Sequence, residues 1–170
     1  HKPFEDDEDT GIEDLYPYSE TLKPGDHPFD VPYVRVMVTM MVEPATFLRK
    51  LTEDFKLAGG QTVIRDFQDR ADVLSLDEPV IFNCTGLGAA KLFGDDELTP
   101  IKGQLVFLPP DPDVDYLTIG GGDELLYMFS RSDALVLGGT YKKGDYSTQP
   151  EPEETARIVA GHQRIFAGFG

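Results

Sequence analysis

The chain has 170 residues, of which 40% are hydrophobic and 27% charged. That composition suits one soluble globular domain with a moderate core and excludes a fibrous or wholly disordered polymer. Fifteen basic residues stand against 31 acidic ones, a net charge of −16, which argues against binding a nucleic-acid backbone or an anionic membrane. The longest apolar run, residues 34–42, is broken by Arg35 and Thr39 and falls short of the ~20 residues a membrane helix needs. The single cysteine, Cys84, leaves no internal disulfide framework and no cysteine-based zinc site. The start at His1, without a methionine, a signal peptide or an initial βαβ unit, suggests a piece of something longer.

Residues 1–30 carry ten Asp and Glu residues against Lys2 and Lys23, half of the net charge on fewer than a fifth of the positions. With four prolines and no periodic apolar face, they read as an acidic, poorly ordered connector. An acidic interaction arm is the functional alternative. A calcium loop would need alternating ligands and a glycine at the bend, a pattern absent from residues 5–9.

From Pro32 onward the elements alternate. Residues 33–42, rich in Val, Met and Thr, read as a strand. Glu43-Pro44 opens a helix, Phe47, Leu48, Leu51 and Phe55 recur at helical spacing, and Gly59-Gly60 end it. Residues 61–67 (QTVIRDF) read as a second strand, 71–76 as a short helical turn and 80–83 as a short buried strand. The order strand, helix, strand, strand predicts a βαβ piece with some parallel pairing. Residues 103–108, 115–119, 125–129 and 134–141 then read as four strands. Pro109-Pro110-Asp111-Pro112, Gly120-Gly121-Gly122 and Ser130-Arg131-Ser132-Asp133 separate them, a spacing that predicts an antiparallel sheet. After a loop over 142–152 comes a long C-terminal helix from about Glu153, with Ile158, Val159, His162, Ile165 and Phe166 on its apolar side. The expected fold class is therefore mixed α+β: a βαβ piece, an antiparallel multi-stranded insertion and a terminal helix.

The sharpest local motif runs from Val80 through Asn83-Cys84-Thr85-Gly86-Leu87-Gly88 into Ala89-Ala90. An apolar strand, a glycine turn and a helix start would let a phosphate or cofactor approach the backbone. As a dinucleotide fingerprint it is degenerate, because Lys91 stands where a third Gly or Ala belongs. A purely structural turn is the alternative.

Asn83-Cys84-Thr85-Gly86, then Pro100-Ile101-Lys102-Gly103-Gln104, then Tyr127-x-x-x-Arg131-x-Asp133 followed by Val136-Leu137-Gly138-Gly139-Thr140 resemble the D-amino-acid oxidase family of flavoenzymes in order and spacing. The resemblance covers residues 33–170. It implies non-covalent FAD in a Rossmann-type domain, covered by a substrate domain on a large mixed sheet. It also implies oxidation of an amine by hydride transfer to flavin, with oxygen yielding peroxide and the imine hydrolysing to a keto acid and ammonia. By position, Tyr127 corresponds to the tyrosine whose hydroxyl helps bind the substrate carboxylate. Thr85-Gly86, with Leu87 beside it, corresponds to the segment against the flavin. Ile64 corresponds to an apolar position whose backbone meets the adenine portion.

The family's N-terminal Gly-x-Gly-x-x-Gly unit, its later arginine-bearing segment and its C-terminal glycine-rich flavin loop have no counterpart here. Gly120-Gly121-Gly122 does not replace the first, since it lies between short strands. The expectation is thus a substrate-binding domain over 31–170 with a partial FAD-contacting segment, preceded by the connector 1–30. Its partners would be the missing N- and C-terminal parts of the same enzyme and a small amino acid or amine, with a homo-oligomer left open. Alone it should bind FAD poorly and not turn over. A stand-alone, non-catalytic carboxylate-binding module of the same fold is the alternative.

Arg131 is a second candidate substrate contact, since guanidinium grips carboxylate; pairing with Asp133 across the turn is the plainer reading. Cys84 reads as a small buried apolar residue. His27 and His162 have no partner at catalytic or metal-ligand spacing, so no catalytic or metal-ligating residue is assigned. Tyr141 and Tyr146 read as surface loop. No residue pattern addresses the compartment, for which cytoplasmic is only the default.

Overall fold

The computed structural model describes residues 18–120 and 124–169. Most of the acidic stretch (residues 1–17) and the centre of the Gly120-Gly121-Gly122 turn lie outside them. In chain order the elements begin with β1 (Ser19–Leu22) and β2 (Val34–Met37), an antiparallel pair with Ser19 opposite Met37. Helix α1 (Pro44–Leu57) has proline in its first turn and ends where Gly59 takes φ +91°. Arg49–Glu53 and Lys50–Asp54 pairs run along its exposed side. Helix α2 (Arg70–Leu74) is capped by Asp69, whose carboxylate accepts the Asp72 N–H at 2.9 Å. A single 3-10 turn, Gly86–Gly88, leads into α3 (Ala89–Phe93), which Gly94 ends in a left-handed conformation.

Six short strands follow: β3 (Ile101–Lys102), β4 (Val106–Leu108), β5 (Thr118–Gly120), β6 (Leu126–Ser130), β7 (Leu135–Gly138) and β8 (Lys142–Lys143), before helix α4 (Pro152–Ile165). Four of them form an antiparallel sheet in the order β4-β7-β6-β5. The small β3–β8 pair stands beside it. The fold is mixed α+β, with an antiparallel sheet and a C-terminal helix as the sequence predicts.

The core lies between this sheet and α4. Leu126 and Met128 on β6 are buried while Tyr127 and Phe129 between them are half-buried, the alternation of a strand with two different faces. On α4 the buried residues are Ile158, Gly161 and His162, a helical stripe. Met128, Leu137 and Ile158 form the centre, with Val106, Val114 and Phe166 around them. Burying such side chains stabilises the packing by about 1.5–3 kcal/mol each. A Cβ on Gly161 would strike the Leu126 side chain, so a glycine there lets the helix settle against the sheet.

Polar groups fasten the same helix. The Gln104 side chain accepts the Glu151 N–H at 2.7 Å and donates to the Glu151 carbonyl at 3.0 Å and to Thr155 Oγ1 at 2.7 Å. It thereby caps a helix whose own N-cap residue forms no side-chain cap bond. Thr140 Oγ1 accepts the Gln104 N–H at 2.6 Å and donates to the Gln104 carbonyl at 3.0 Å.

The βαβ expectation is altered in one respect: all strand pairs among the described residues are antiparallel. Residues 61–67 and 80–83 carry no strand pairing. The stretch expected to be a buried strand instead exposes Val80, Ile81 and Phe82. A strand exists only by bonding to a neighbour, and among the described residues neither segment has one. Helix α1 likewise has no buried residue, its Phe47, Leu48, Leu51 and Phe55 being about half exposed.

Within the described part of the acidic stretch, Phe29 packs edge-on against Phe169 at 5.0 Å between centroids and against Phe166 at 6.2 Å. Gly168 lies against the Pro28 carbonyl so closely that no side chain fits. Among the described residues no helix is long and apolar enough to cross a membrane.

Candidate functional site

The sheet face that α4 leaves free carries the candidate site. Register places Ile119, Tyr127 and Gly138 in one row and Phe129 and Val136, with Phe107 beyond, in the next. Phe107 and Ile119 are largely exposed at its flanks. The Tyr127 and Phe129 rings lie 5.3 Å apart, tilted by 51°. Tyr127 lies flat across β7 because Gly138 has no side chain: a Cβ there would fall inside the phenol ring. The Leu137-Gly138-Gly139-Thr140 motif therefore has a physical content that spacing alone did not disclose. Gly138 seats the tyrosine, and Gly139 adopts φ +153° with the Leu126 side chain 2.6 Å from where a Cβ would stand. Thr140 clamps Gln104, as described above.

Arg131 sits just beyond the end of β6. Its guanidinium meets Asp133 at 2.7 Å, and its Nε lies 3.9 Å from Glu43. Glu43 also accepts the Ser132 N–H at 2.8 Å, so the residue that starts α1 holds the β6–β7 turn. Arg131 Nε is buried without a hydrogen-bond partner among the described residues. A shallow cleft of about 410 Å³ opens beside it, lined by Pro110, Asp111, Pro112, Val114, Ser130, Arg131 and Ser132. Tyr127 is not among its walls.

The other candidates lie apart from this face. Thr85 donates from its N–H at 3.2 Å and its hydroxyl at 2.7 Å to the Asn83 side chain, which shapes the turn. Gly86 takes φ +54°, and Leu87 is about half exposed. Ile64 lies in an irregular segment, not a strand, with its side chain fully exposed. Next to it Arg65 pairs with Asp72 and stacks over Phe67 at 4.8 Å. The Gln68 N–H and then Arg65 hold the Asp72 carboxyl below its ordinary range. Lys91 reaches Gln68 at 3.4 Å and so ties α3 to this segment. Among the described residues no hydrogen bond or ion pair joins the Ile64 and Thr85-Gly86-Leu87 group to Tyr127 or Arg131. Cys84 is exposed, against the expectation of a buried residue, because the strand meant to bury it has no partner.

Sequence reasoning missed the charged knot at the head of α4. Lys102 Nζ meets Glu151 at 2.7 Å and Asp145 at 3.5 Å. Lys142 pairs with Glu151 and, at 3.3 Å, with Glu154. Arg157 joins Glu154 at 2.9 Å and donates to the Gly139 carbonyl at 2.7 Å. Hydrogen bonds from Lys102 and then Lys142 lower the Glu151 carboxyl to about 2, and the Glu151 bond raises both lysines. Among the described residues no group of three His, Cys, Asp or Glu side chains could hold a metal ion.

No protein-family model matches the chain. It is similar to a D-amino-acid oxidase of Streptomyces coelicolor, 37% identical over 123 residues that make up 70% of this chain and 37% of that protein. It is 30% identical to a D-aspartate oxidase of Homo sapiens over 126 residues, 74% of this chain and 36% of that one. A D-amino-acid oxidase of Dictyostelium discoideum is 32% identical over 113 residues, 66% and 32% of the two chains. The chain spans about a third of the length of these relatives. Over that third, the chain belongs to the D-amino-acid oxidase family.

Proposed function

We propose that the chain is part, mainly the substrate domain, of an FAD-dependent oxidase acting on an amino acid or small amine, and that it does not turn over alone. The observation that carries this reading is Tyr127 laid across Gly138 on the sheet face that α4 leaves free. The phenol there would donate to a substrate carboxylate, a charge-assisted bond, with Phe107, Phe129 and Ile119 offering an apolar surround. Arg131, just beyond the end of the same strand and paired with Asp133 and Glu43, would offer a second contact.

Thr85, Gly86, Leu87 and Ile64 would meet the cofactor, and they fit only part of it. The Thr85–Leu87 turn is open, and nothing lies within 4 Å of the position a Gly86 Cβ would take, which suits the edge of a planar ring. Helix α3 has five residues, too few for a helix start that holds a pyrophosphate. When bound, the flavin would supply the hydride acceptor, with oxygen as terminal oxidant. The exposed apolar residues of α1, 61–67 and 80–83 would be covered by the N- and C-terminal parts of the same enzyme. Residues 1–30 would serve as the acidic connector ahead of the domain over 31–170.

The test is the visible spectrum, ~350–500 nm, of the chain and of the longer protein that carries it, each incubated with FAD and desalted. The chain alone should come out colourless. The longer protein should be yellow and should bleach anaerobically with a D-amino acid or amine. A flavin band retained by the chain alone would overturn the division of labour. A longer protein unable to hold flavin would point to the non-catalytic binding module.

A further inference from the structure

His162 is 4% exposed on α4, and both of its ring nitrogens face carbonyl oxygens. Nδ1 stands 2.8 Å from the carbonyl of Ile158, one turn back on its own helix. Nε2 stands 3.0 Å from the carbonyl of Tyr127 on β6. The Ile158 oxygen already accepts a backbone N–H in the regular helical pattern. The contact that only the imidazole can make is therefore the one across to the sheet. It falls beneath the residue whose side chain emerges on the opposite face over Gly138.

We propose that His162 is a positioning residue for Tyr127: its Nε2–H donates to the Tyr127 carbonyl and fixes the backbone from which the phenol is aimed. With the proton on Nε2 the ring bridges α4 and β6. The residue before Tyr127, Leu126, is buried against Gly161 and Gly139, which anchors the start of β6 and leaves the Tyr127 carbonyl to the imidazole. The charged groups nearby are engaged with each other: Arg164 on α4 meets Glu124, just before β6, at 2.9 Å, and Arg157 holds Glu154. The imidazole thus acts on Tyr127 and touches no substrate. The functional consequence rests on the reading of Tyr127 as a carboxylate contact.

Two measurements test this, and they fail separately. Long-range nitrogen–proton NMR of the histidine-labelled chain shows which ring nitrogen of His162 carries hydrogen. Hydrogen on Nε2, alone or together with Nδ1, supports the bridge, and hydrogen on Nδ1 alone overturns it. In the FAD-loaded longer protein, His162→Gln places an amide donor near the Nε2 position, whereas His162→Asn is too short to reach β6. The Asn variant should raise KM about tenfold with kcat little changed, and the Gln variant should recover most of that loss. Equal kinetics for Gln and Asn, whether both intact or both impaired, would overturn the positioning role. Tyr127→Phe in the same assay separates the two claims: an unchanged KM there would remove Tyr127 from the substrate site while the NMR result still decides the bridge.

Discussion

Gly138 decides where Tyr127 can lie. Ala at this position would put a methyl group inside the phenol ring, and the movable ring would swing away before the sheet broke. Gly138→Ala should therefore fold, with a stability loss of about 1–3 kcal/mol from overpacking. In the flavin-loaded longer protein it should lose carboxylate affinity as severely as a variant lacking the phenol. Denaturant melts paired with ligand titration check this, and a variant that binds normally would show that the ring position over β7 is immaterial. At this scale the sequence disclosed the tyrosine and the Val136-Leu137-Gly138-Gly139-Thr140 motif but not their relation. A glycine facing a tyrosine across two strands is a matter of register, and register is absent from a linear reading. Arg131 pairing with Asp133 was legible, since two residues apart on a turn is local. Its approach to Glu43, 88 positions away, was not.

Helix α4 is the element that makes the sheet a domain, and its attachment is partly ionic. Glu151 is lowered from its ordinary 4.5 to about 2 by Lys102 and Lys142. A folded-state value below the unfolded one contributes stability that is complete above about pH 4.5 and disappears as pH falls through about 2. Urea midpoints at pH 6 and pH 2.5 should therefore fall further apart in the native chain than in Glu151→Gln, which lacks this carboxylate. Equal separations would mean that the knot adds nothing to the pH dependence. The amphipathic spacing of α4 and the four strands before it were legible because period 3.6 and period 2 are local patterns. The cap supplied by Gln104 and the β8 strand inside the expected 142–152 loop were not, since both depend on partners more than 35 positions away.

Across the whole molecule the two halves differ in completeness. Residues 101–169 enclose the core of Met128, Leu137 and Ile158, whereas residues 44–93 present α1 without one buried side chain and Ile64 fully exposed. The spacing of Phe47, Leu48, Leu51 and Phe55 correctly predicts a helix with an apolar face, but a helix pattern does not name what covers that face. The same gap explains the strands expected at 61–67 and 80–83: β-branched residues favour a strand only where a neighbour offers hydrogen bonds. Both features fit a chain that spans about a third of its relatives' length and, under the proposed function, would be covered by the rest of the enzyme. The central claim is that the free sheet face bearing Tyr127 receives the substrate carboxylate. It is tested most directly by anaerobic titration of the flavin-loaded longer protein with a D-amino acid, native against Tyr127→Phe, following loss of the visible band. Removing one charge-assisted hydrogen bond should weaken apparent substrate affinity by about tenfold to a hundredfold. An affinity unchanged by that substitution would contradict the account.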